Sequence, residues 1–348
     1  MSTSWGGAPG PQPAPRPAFS RLSQRFVTSC EKADEGVGRG PGGPPHTLLY
    51  TLIALMVFFW SANYIIGKIA LREFPALLLA GLRICLAGLF ILPAYIVQGG
   101  AGNPACSRLS SRLLAPGLET RDFPILFSLG VFGVTLNQVF FVVGLSRTSV
   151  VHAVLIVATT PILVLAIAAI IKQEQITVRK ATGMLIALVG VAILNALPAS
   201  TAPGASPTLI GDAFVLLSAL TFAMFTVLGK KARLRHSSVT VNAFAYVGGA
   251  LALAPLVAWQ GRTFSYGLVN TLGWSSLIYM ALFPSVISYL IYSYALGHIS
   301  ASRVSAFSYL QPVITTALAT VTLGERVTLP LVAGGAVIFS GVYLTERG

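Results

Sequence analysis

The residue of this sequence most suited to binding a charged group is Arg83. It lies about eight residues into an apolar stretch at 75–97, and no acidic residue lies at a comparable depth in any apolar stretch. An arginine inside a membrane costs about 2.5–3.5 kcal/mol on insertion scales. Arg83 either binds an anionic or carboxylate-bearing small molecule, or reaches the membrane surface or backbone carbonyls instead.

Uncharged polar and aromatic residues in the other apolar stretches form a second group of candidates. Trp60 and Asn63, for example, share one helical face at i, i+3. Such residues either line a cavity or make hydrogen bonds between helices, and tyrosines near helix ends can also anchor at the membrane interface. We predict that a small molecule contacts Arg83 together with Trp60, Asn63, Tyr64, Asn137, Gln138, Ser288, Tyr289, Tyr309 and Gln311.

Two prolines and one histidine are candidates for conformational roles. Pro161 and Pro312 lie at the centres of apolar stretches, where each removes a backbone hydrogen bond and bends its helix. They either support a gating motion or form fixed kinks. His152 begins an apolar stretch and is its only residue able to titrate near neutral pH, so it is a candidate for proton coupling or for a local hydrogen bond.

The remaining histidines and cysteines do not predict a metal centre or an enzyme. Four histidines and three cysteines are scattered without a CxxC or a Cys/His spacing. The apolar stretches contain no paired carboxylates and no nucleophile with a base, and the chain has no GxxxxGK[ST] loop. We therefore predict no metal, no cofactor, no direct use of ATP and no enzymatic activity.

The composition shows which elements must position these residues. Of 348 residues, 55% are hydrophobic and 9% are charged, whereas soluble domains have about 25% charged residues. A membrane-spanning helix needs about 20 apolar residues. The sequence predicts an all-α integral membrane protein with ten such helices, at 47–67, 75–97, 123–143, 150–171, 180–197, 209–229, 238–259, 273–295, 303–323 and 328–345.

Residues 1–46 differ from the rest of the chain. They contain 8 glycines and 8 prolines, a composition that lacks the apolar mass to offset the entropy of ordering. We predict a disordered cytoplasmic tail.

The distribution of basic residues indicates the orientation in the membrane. With the tail in the cytoplasm, 17 of the 23 Lys and Arg residues lie on the cytoplasmic side and 5 on the other. Cytoplasmic loops carry such an excess, so both termini are predicted to be cytoplasmic. The net charge of +13 therefore does not indicate a nucleic-acid partner.

An internal repeat divides the chain into two units of five predicted helices. An offset of 151 pairs Ser149, Pro161 and Glu174 with Ser300, Pro312 and Glu325, and an offset of 162 pairs Lys68 with Lys230. An odd number of helices places the second unit in the opposite orientation, as in carriers with inverted repeats. The predicted units are 47–198 and 209–345.

These features resemble the EamA domains of the drug/metabolite transporter superfamily. The resemblance is carried by residues 60–64 (WSANY), 82–84 (LRI), 324–326 (GER) and 211–212 (GD), with the repeated Ser, Pro and Glu positions. The first unit reads Gln173-Glu174-Gln175 where the family pattern is Gly-Glu-Arg. Similarity to this family implies ten helices, cytoplasmic termini and movement of small metabolites, often outward, without fixing the substrate.

The sequence thus predicts a secondary transporter of the cell membrane. We expect export of small polar or amphipathic metabolites, such as amino acids, by alternating access. The expected partners are this substrate and membrane lipids, and the oligomeric state is left open. The alternative is a membrane-embedded enzyme or a flippase that acts on lipid-linked substrates.

Overall fold

Several helices of this chain begin at polar residues whose side chains cap them. In this computed structural model, residues 46–101, 122–194, 208–323 and 329–348 are described. All regular secondary structure in these ranges is helical. The helices are α1 (His46–Glu73), α2 (Ala76–Ala101), α3 (Phe123–Arg147), α4 (Val150–Val157 and Thr160–Ile170), α5 (Val178–Leu194), α6 (Leu209–Ala232), α7 (Ser238–Gly261), α8 (Thr271–His298), α9 (Ala301–Ala306, Phe307–Tyr309 and Leu310–Leu323) and α10 (Leu329–Glu346).

Caps explain several of the starts. The side chains of Ser149, Thr208, Ser237 and Asn270 each accept a hydrogen bond from the backbone amide three residues later. This is the geometry that satisfies the free amides of a first helical turn. Residues 1–45 of the predicted tail, and residues 195–207 at the end of the first predicted unit and in the stretch after it, lie outside the described part, so the predicted disorder of the tail is untested.

Seven of the helices are long and apolar enough to cross a membrane. They are α1, α2, α3, α4, α6, α7 and α8, and a shorter apolar segment, Val332–Glu346, lies in α10. The chain is therefore a helical integral membrane protein. The ten membrane spans expected from the sequence stay a prediction, because α5, α9 and α10 do not meet the same criterion of length and hydropathy in the described residues.

The internal repeat recurs in the details of the helices. Within α3, a π-helical segment covers Gly130–Leu136, and within α8 an equivalent one covers Ala281–Ile287, 151 residues later. Lys68 donates to the Thr148 carbonyl at 2.6 Å, and Lys230 donates to the Ile299 carbonyl at 2.9 Å. Each lysine thus caps the junction after the third helix of its unit.

Glycines allow repeat-equivalent helices to pack against each other. In the α5–α10 pair, a Cβ on Gly183 would lie 2.8 Å from the Gly341 carbonyl oxygen, and one on Gly190 would lie 2.9 Å from that of Gly334. Helices without side chains at their crossing approach closely, which is how membrane helices gain van der Waals contact. Likewise α2 packs on α7, and α6 packs closely on α3 and α4.

The two units are not packed identically. The counterpart of α6 in the first unit is α1, which keeps a wider backbone separation from its neighbours. It reaches α8 and α9 through side chains, as when Trp60 Nε1 donates to the Pro284 carbonyl at 3.0 Å. A cavity lies between these helices.

Candidate functional site

A polar and aromatic cavity occupies the centre of the helical bundle. It contains about 560 Å³ of atom-free space, including the part open to solvent. Its walls come from both halves of the chain. The lining residues are Trp60, Asn63, Tyr64, Arg83, Asn137, Gln138, Phe141, Val157, Thr160, Ser218, Ala219, Phe222, Tyr289, Ser308 and Gln311.

The π-helical segments place the polar residues of α3 and α8. A π-helical turn leaves carbonyls without their usual helical partners, and such turns are frequent at functional sites. The Tyr289 hydroxyl donates to the Gly133 carbonyl at 2.9 Å, and Trp60 Nε1 donates to the carbonyl of Pro284, the repeat equivalent of Gly133. Hydrogen bonds to these carbonyls therefore fix the positions of two aromatic side chains that line the cavity, Tyr289 and Trp60.

Hydrogen bonds between helices fix most of the polar lining. Asn137 Nδ2 donates to the Ser218 carbonyl at 2.9 Å, and its Oδ1 lies 3.0 Å from the Tyr289 hydroxyl, whose single proton it shares with the Gly133 carbonyl. On the other side, the Tyr64 hydroxyl donates to Gln311 Oε1 at 3.2 Å. A ligand thus meets side chains that are already oriented.

Three buried polar atoms of the lining have no such partner. Arg83 is 3% exposed, and its Nε donates to Ser285 Oγ at 2.8 Å, while Nη1 has no hydrogen-bond partner among the described residues. The same holds for Asn63 Oδ1 and Thr160 Oγ1. Leaving a buried polar group unpaired costs about 1–3 kcal/mol, and more for a charged one. A ligand that pairs with these atoms recovers that cost.

Aromatic rings supply the apolar part of the cavity. The ring centroids of Trp60, Phe222 and Tyr289 lie 5.5–6.1 Å from one another in edge-to-face contacts. Such a wall presents flat apolar surface and polar ring edges to a ligand. Arg83 and the aromatic wall together fit an amphipathic small molecule.

The prolines interrupt their helices beside the cavity. Pro161 follows the break in α4 at residues 158–159, and Pro312 follows the 3₁₀ turn Phe307–Tyr309 in α9. The repeat-equivalent residues Thr160 and Gln311 both reach the cavity from these interruptions.

Most of the predicted contact residues share this cavity. Ser288 and Tyr309 do not line it; both are fully buried, and their hydroxyls have no partner among the described residues. His152 also lies off the lining, where its Nδ1 is 3.1 Å from Asp212 Oδ2. The eight that line it are Trp60, Asn63, Tyr64, Arg83, Asn137, Gln138, Tyr289 and Gln311.

Comparison with known proteins identifies the family. The EamA-like transporter family matches residues 47–196 and 209–347. The chain belongs to the EamA-like transporter family. The resemblance to EamA domains and the transporter type expected from the sequence are confirmed.

Relatives of this EamA protein are named as transporters. An uncharacterized transporter of Archaeoglobus fulgidus is 28% identical over 298 residues, covering 86% of this chain and 98% of that protein. A probable amino-acid metabolite efflux pump of Salmonella typhimurium is 26% identical over 306 residues, covering 85% and 94%. A solved crystal structure with 17% identity and a TM-score of 0.63 covers 87% of this chain and 98% of that one, and it has the same fold.

Within this EamA protein, sequence reasoning missed several lining residues. Thr160 is the most informative, because the offset of 151 pairs it with Gln311, which the sequence did single out. The repeat could therefore have predicted it. Ser218 carries no such signal, since its role depends on the crossing of α6 with α3. The others are Phe141, Val157, Ala219, Phe222 and Ser308.

The lining residues offer groups for noncovalent binding. These groups are hydrogen-bond donors, acceptors, one guanidinium and aromatic faces, and none of the described lining residues is acidic. Among the described residues, no group of three or more His, Cys, Asp or Glu side chains could hold a metal ion.

Proposed function

We propose that this EamA-family protein is a secondary transporter that exports small amphipathic metabolites, such as amino acids, across the cell membrane. The proposal follows chiefly from Arg83, a buried cation whose Nη1 has no hydrogen-bond partner among the described residues and which lines a cavity without acidic residues among those described. A buried charge without a partner is costly. A carboxylate substrate would remove that cost while it is bound.

The rest of the cavity suits the other parts of such a substrate. Asn63 Oδ1 is an unpaired acceptor for an ammonium or hydroxyl group, and Trp60 and Phe222 can cover an apolar side chain. The name of the Salmonella relative, a probable amino-acid metabolite efflux pump, agrees with this substrate class.

The proposed transport cycle is alternating access between the two repeat units. Residues 47–198 and 209–345 would rock about the cavity, with Pro161 and Pro312 at the interruptions of α4 and α9 and with both termini in the cytoplasm. Inverted repeats around a midplane site commonly work in this way.

Arg83→Gln tests the proposal in proteoliposomes. The native protein should show saturable counterflow of an amino acid or another small carboxylate. Because a hydrogen bond to a charged group contributes about 1.5–3 kcal/mol, we expect Arg83→Gln to raise KM at least tenfold for carboxylates and to change it little for an amine without a carboxyl group. Arg262→Gln removes an exposed arginine and should retain the native KM.

The outcomes separate the alternatives. An unchanged KM in Arg83→Gln, with saturable flux intact, would contradict the carboxylate role. Translocation of a lipid-linked probe without flux of any soluble carboxylate would support a flippase instead. Thermal melting of each variant identifies any loss of flux that comes from unfolding.

A further inference from the structure

The starts of α4 and α6 are joined by a histidine and an aspartate. His152 lies in the first turn of α4. Its backbone amide donates a hydrogen bond to Ser149 Oγ at 3.2 Å. Its Nδ1 lies 3.1 Å from Asp212 Oδ2 in the first turn of α6. Thr148 Oγ1 donates to the other carboxylate oxygen of Asp212. We call this end of the bundle the α4–α6 junction.

The junction lies directly beyond the cavity. His152 precedes the lining residue Val157 by five positions, about 7.5 Å along a helix, and Asp212 precedes the lining residue Ser218 by six positions, about 9 Å. The two helices that flank the cavity are therefore tied together between the cavity and this end of the protein.

The helix α6 packs on the Val150–Val157 segment of α4 and on the end of α3, so the junction is closed in this conformation. A Cβ on Gly211 would lie 2.5 Å from the Arg147 carbonyl oxygen. Thr208 Oγ1 donates to the same carbonyl at 2.7 Å. These two contacts tie the start of α6 to the end of α3, beside the pair that joins α6 to α4.

The repeat-equivalent junction at the other end has different chemistry. The counterparts of His152 and Asp212 are Arg303 and Tyr50. Arg303 Nε has no hydrogen-bond partner among the described residues, and the Tyr50 hydroxyl donates to Glu346 of α10 at 2.6 Å. The α4–α6 junction therefore joins its two helices through a histidine and a carboxylate, a pair that the equivalent junction lacks among the described residues.

We propose that the His152–Asp212 pair is a proton-sensitive gate that sets how often the α4–α6 junction opens. Histidine changes charge between about pH 5 and 8, while a carboxylate remains ionised. The imidazolium makes a stronger, charge-assisted hydrogen bond to Asp212 than neutral imidazole does. Lower pH on this side of the membrane thus favours the closed junction.

Two cationic side chains lie near the pair. Lys68 of α1 donates to the Thr148 carbonyl at 2.6 Å, and Arg147 ends α3 beside the junction. The α9 segment Leu310–Leu323, which lies near this end, contains no titratable residue, and residues 324–328 are outside the described part.

The size of the effect is limited by exposure. The side chains of His152 and Asp212 are 45% and 26% exposed, so protons reach the pair and water weakens it. Exposed ion pairs contribute about 0.2–1 kcal/mol, which corresponds to a change of up to about fivefold in the open population.

Cysteine labelling measures the gate without any substrate. In a full-length protein whose Cys30, Cys85 and Cys106 are replaced by serine, Val157→Cys reports access to the cavity. A membrane-impermeant maleimide is added on the junction side at pH 5.5 and 7.5. The exposed loop variant Leu268→Cys (residue 268 is 84% exposed) corrects for the pH dependence of thiol reactivity.

We expect corrected labelling of Val157→Cys to be about two- to fivefold slower at pH 5.5 than at pH 7.5. His152→Asn and Asp212→Asn should each abolish this difference, whereas His298→Asn, at the other end of the bundle, should retain it. Equal labelling at both pH values, or a difference that persists in His152→Asn and Asp212→Asn, would overturn the proposal.

The gate controls transport only if the protein transports a substrate, so this inference rests on the proposed function. The two can fail separately. Loss of the pH difference with carboxylate flux intact refutes the gate alone. A pH difference that is present without flux of any carboxylate refutes the proposed substrate alone.

Discussion

Thr160 and Thr226 are two buried threonines whose hydroxyls have opposite surroundings. Thr160 lines the cavity and its Oγ1 has no partner among the described residues, whereas Thr226 Oγ1 lies 2.7 Å from the Tyr292 hydroxyl. Valine has the same shape as threonine without the hydroxyl. Replacing each threonine by valine therefore separates a ligand-binding hydroxyl from a structural one.

We expect Thr160→Val to raise KM about two- to tenfold, because that factor corresponds to the free energy of one neutral hydrogen bond to the substrate. The melting temperature of this variant should be unchanged or higher. Thr226→Val should lower the melting temperature by leaving Tyr292 unpaired and should change KM less. Counterflow and thermal melting of the purified variants measure both quantities. A lower melting temperature for Thr160→Val would mean that its hydroxyl has a structural role.

At the same scale, the sequence identified Arg83 because a charge within an apolar stretch is visible without a structure. It could not show that Ser285 holds Nε and that Nη1 is left unpaired. Those facts depend on where α8 crosses α2. Ser288 and Tyr309 illustrate the same limit, since helical spacing alone does not decide which buried face meets the cavity.

At the scale of elements, the glycines of the α5–α10 pair give a direct test of the packing. A Cβ on Gly341 would lie 2.4 Å from the Ala187 amide nitrogen and 2.6 Å from the Gly183 carbonyl oxygen. Both atoms belong to backbone and cannot rotate away, so an added methyl group must push the helices apart.

Gly341→Ala should therefore destabilise the protein by about 1–3 kcal/mol, the usual cost of overpacking. Gly248→Ala is the matched control, because nothing lies within 4 Å of its Cβ position in α7. The melting temperatures of both variants in one detergent measure the difference. Equal melting temperatures would show that α5 and α10 can separate at this crossing without loss of stability.

Most element boundaries could be read from the sequence to within four residues, whereas α1 ends at Glu73, six residues beyond the predicted end at 67. Capping residues such as Thr208 and Asn270 and apolar length both act locally. The π-helical segments could not be predicted, because Gly130–Leu136 and Ala281–Ile287 have ordinary helical sequences apart from Pro284. Their geometry is held by partners on other helices, such as Tyr246, whose hydroxyl donates to the Ser285 carbonyl at 3.0 Å.

At the scale of the whole molecule, the repeat explains both the site and its asymmetry. The offsets of 151 and 162 place Trp60 opposite Phe222 and Gln138 opposite Tyr289, and all four line the cavity. The same offsets place His152 opposite Arg303. The scaffold is symmetric, while the polar atoms that could bind a ligand or a proton differ between the units.

Glu174 connects the first unit to the second and gives the protein a predicted acid sensitivity. Its carboxylate accepts from the Ser302 amide at 3.2 Å and from the Ser302 hydroxyl at the start of α9, and Lys180 Nζ lies 2.9 Å away. Burial opposes ionisation of Glu174, but the hydrogen bonds from Ser302 and Lys180 outweigh burial and hold the pKa of the carboxyl below its usual range.

A carboxyl whose pKa is lower in the folded state stabilises the fold above its unfolded-state pKa, about 4.3 for glutamate. That stability is lost as the pH falls through the lowered folded-state pKa. The melting temperature of the native protein should therefore fall steeply below about pH 4.3. Glu174→Gln should melt lower at pH 7 and change less on acidification, because glutamine keeps one acceptor without the charge. The control variant Glu73→Gln, at the opposite end of the bundle, should show the same fall in melting temperature at acid pH as the native protein. If the native protein and Glu174→Gln have identical profiles of melting temperature against pH, the contact between Glu174 and Ser302 is not a source of stability.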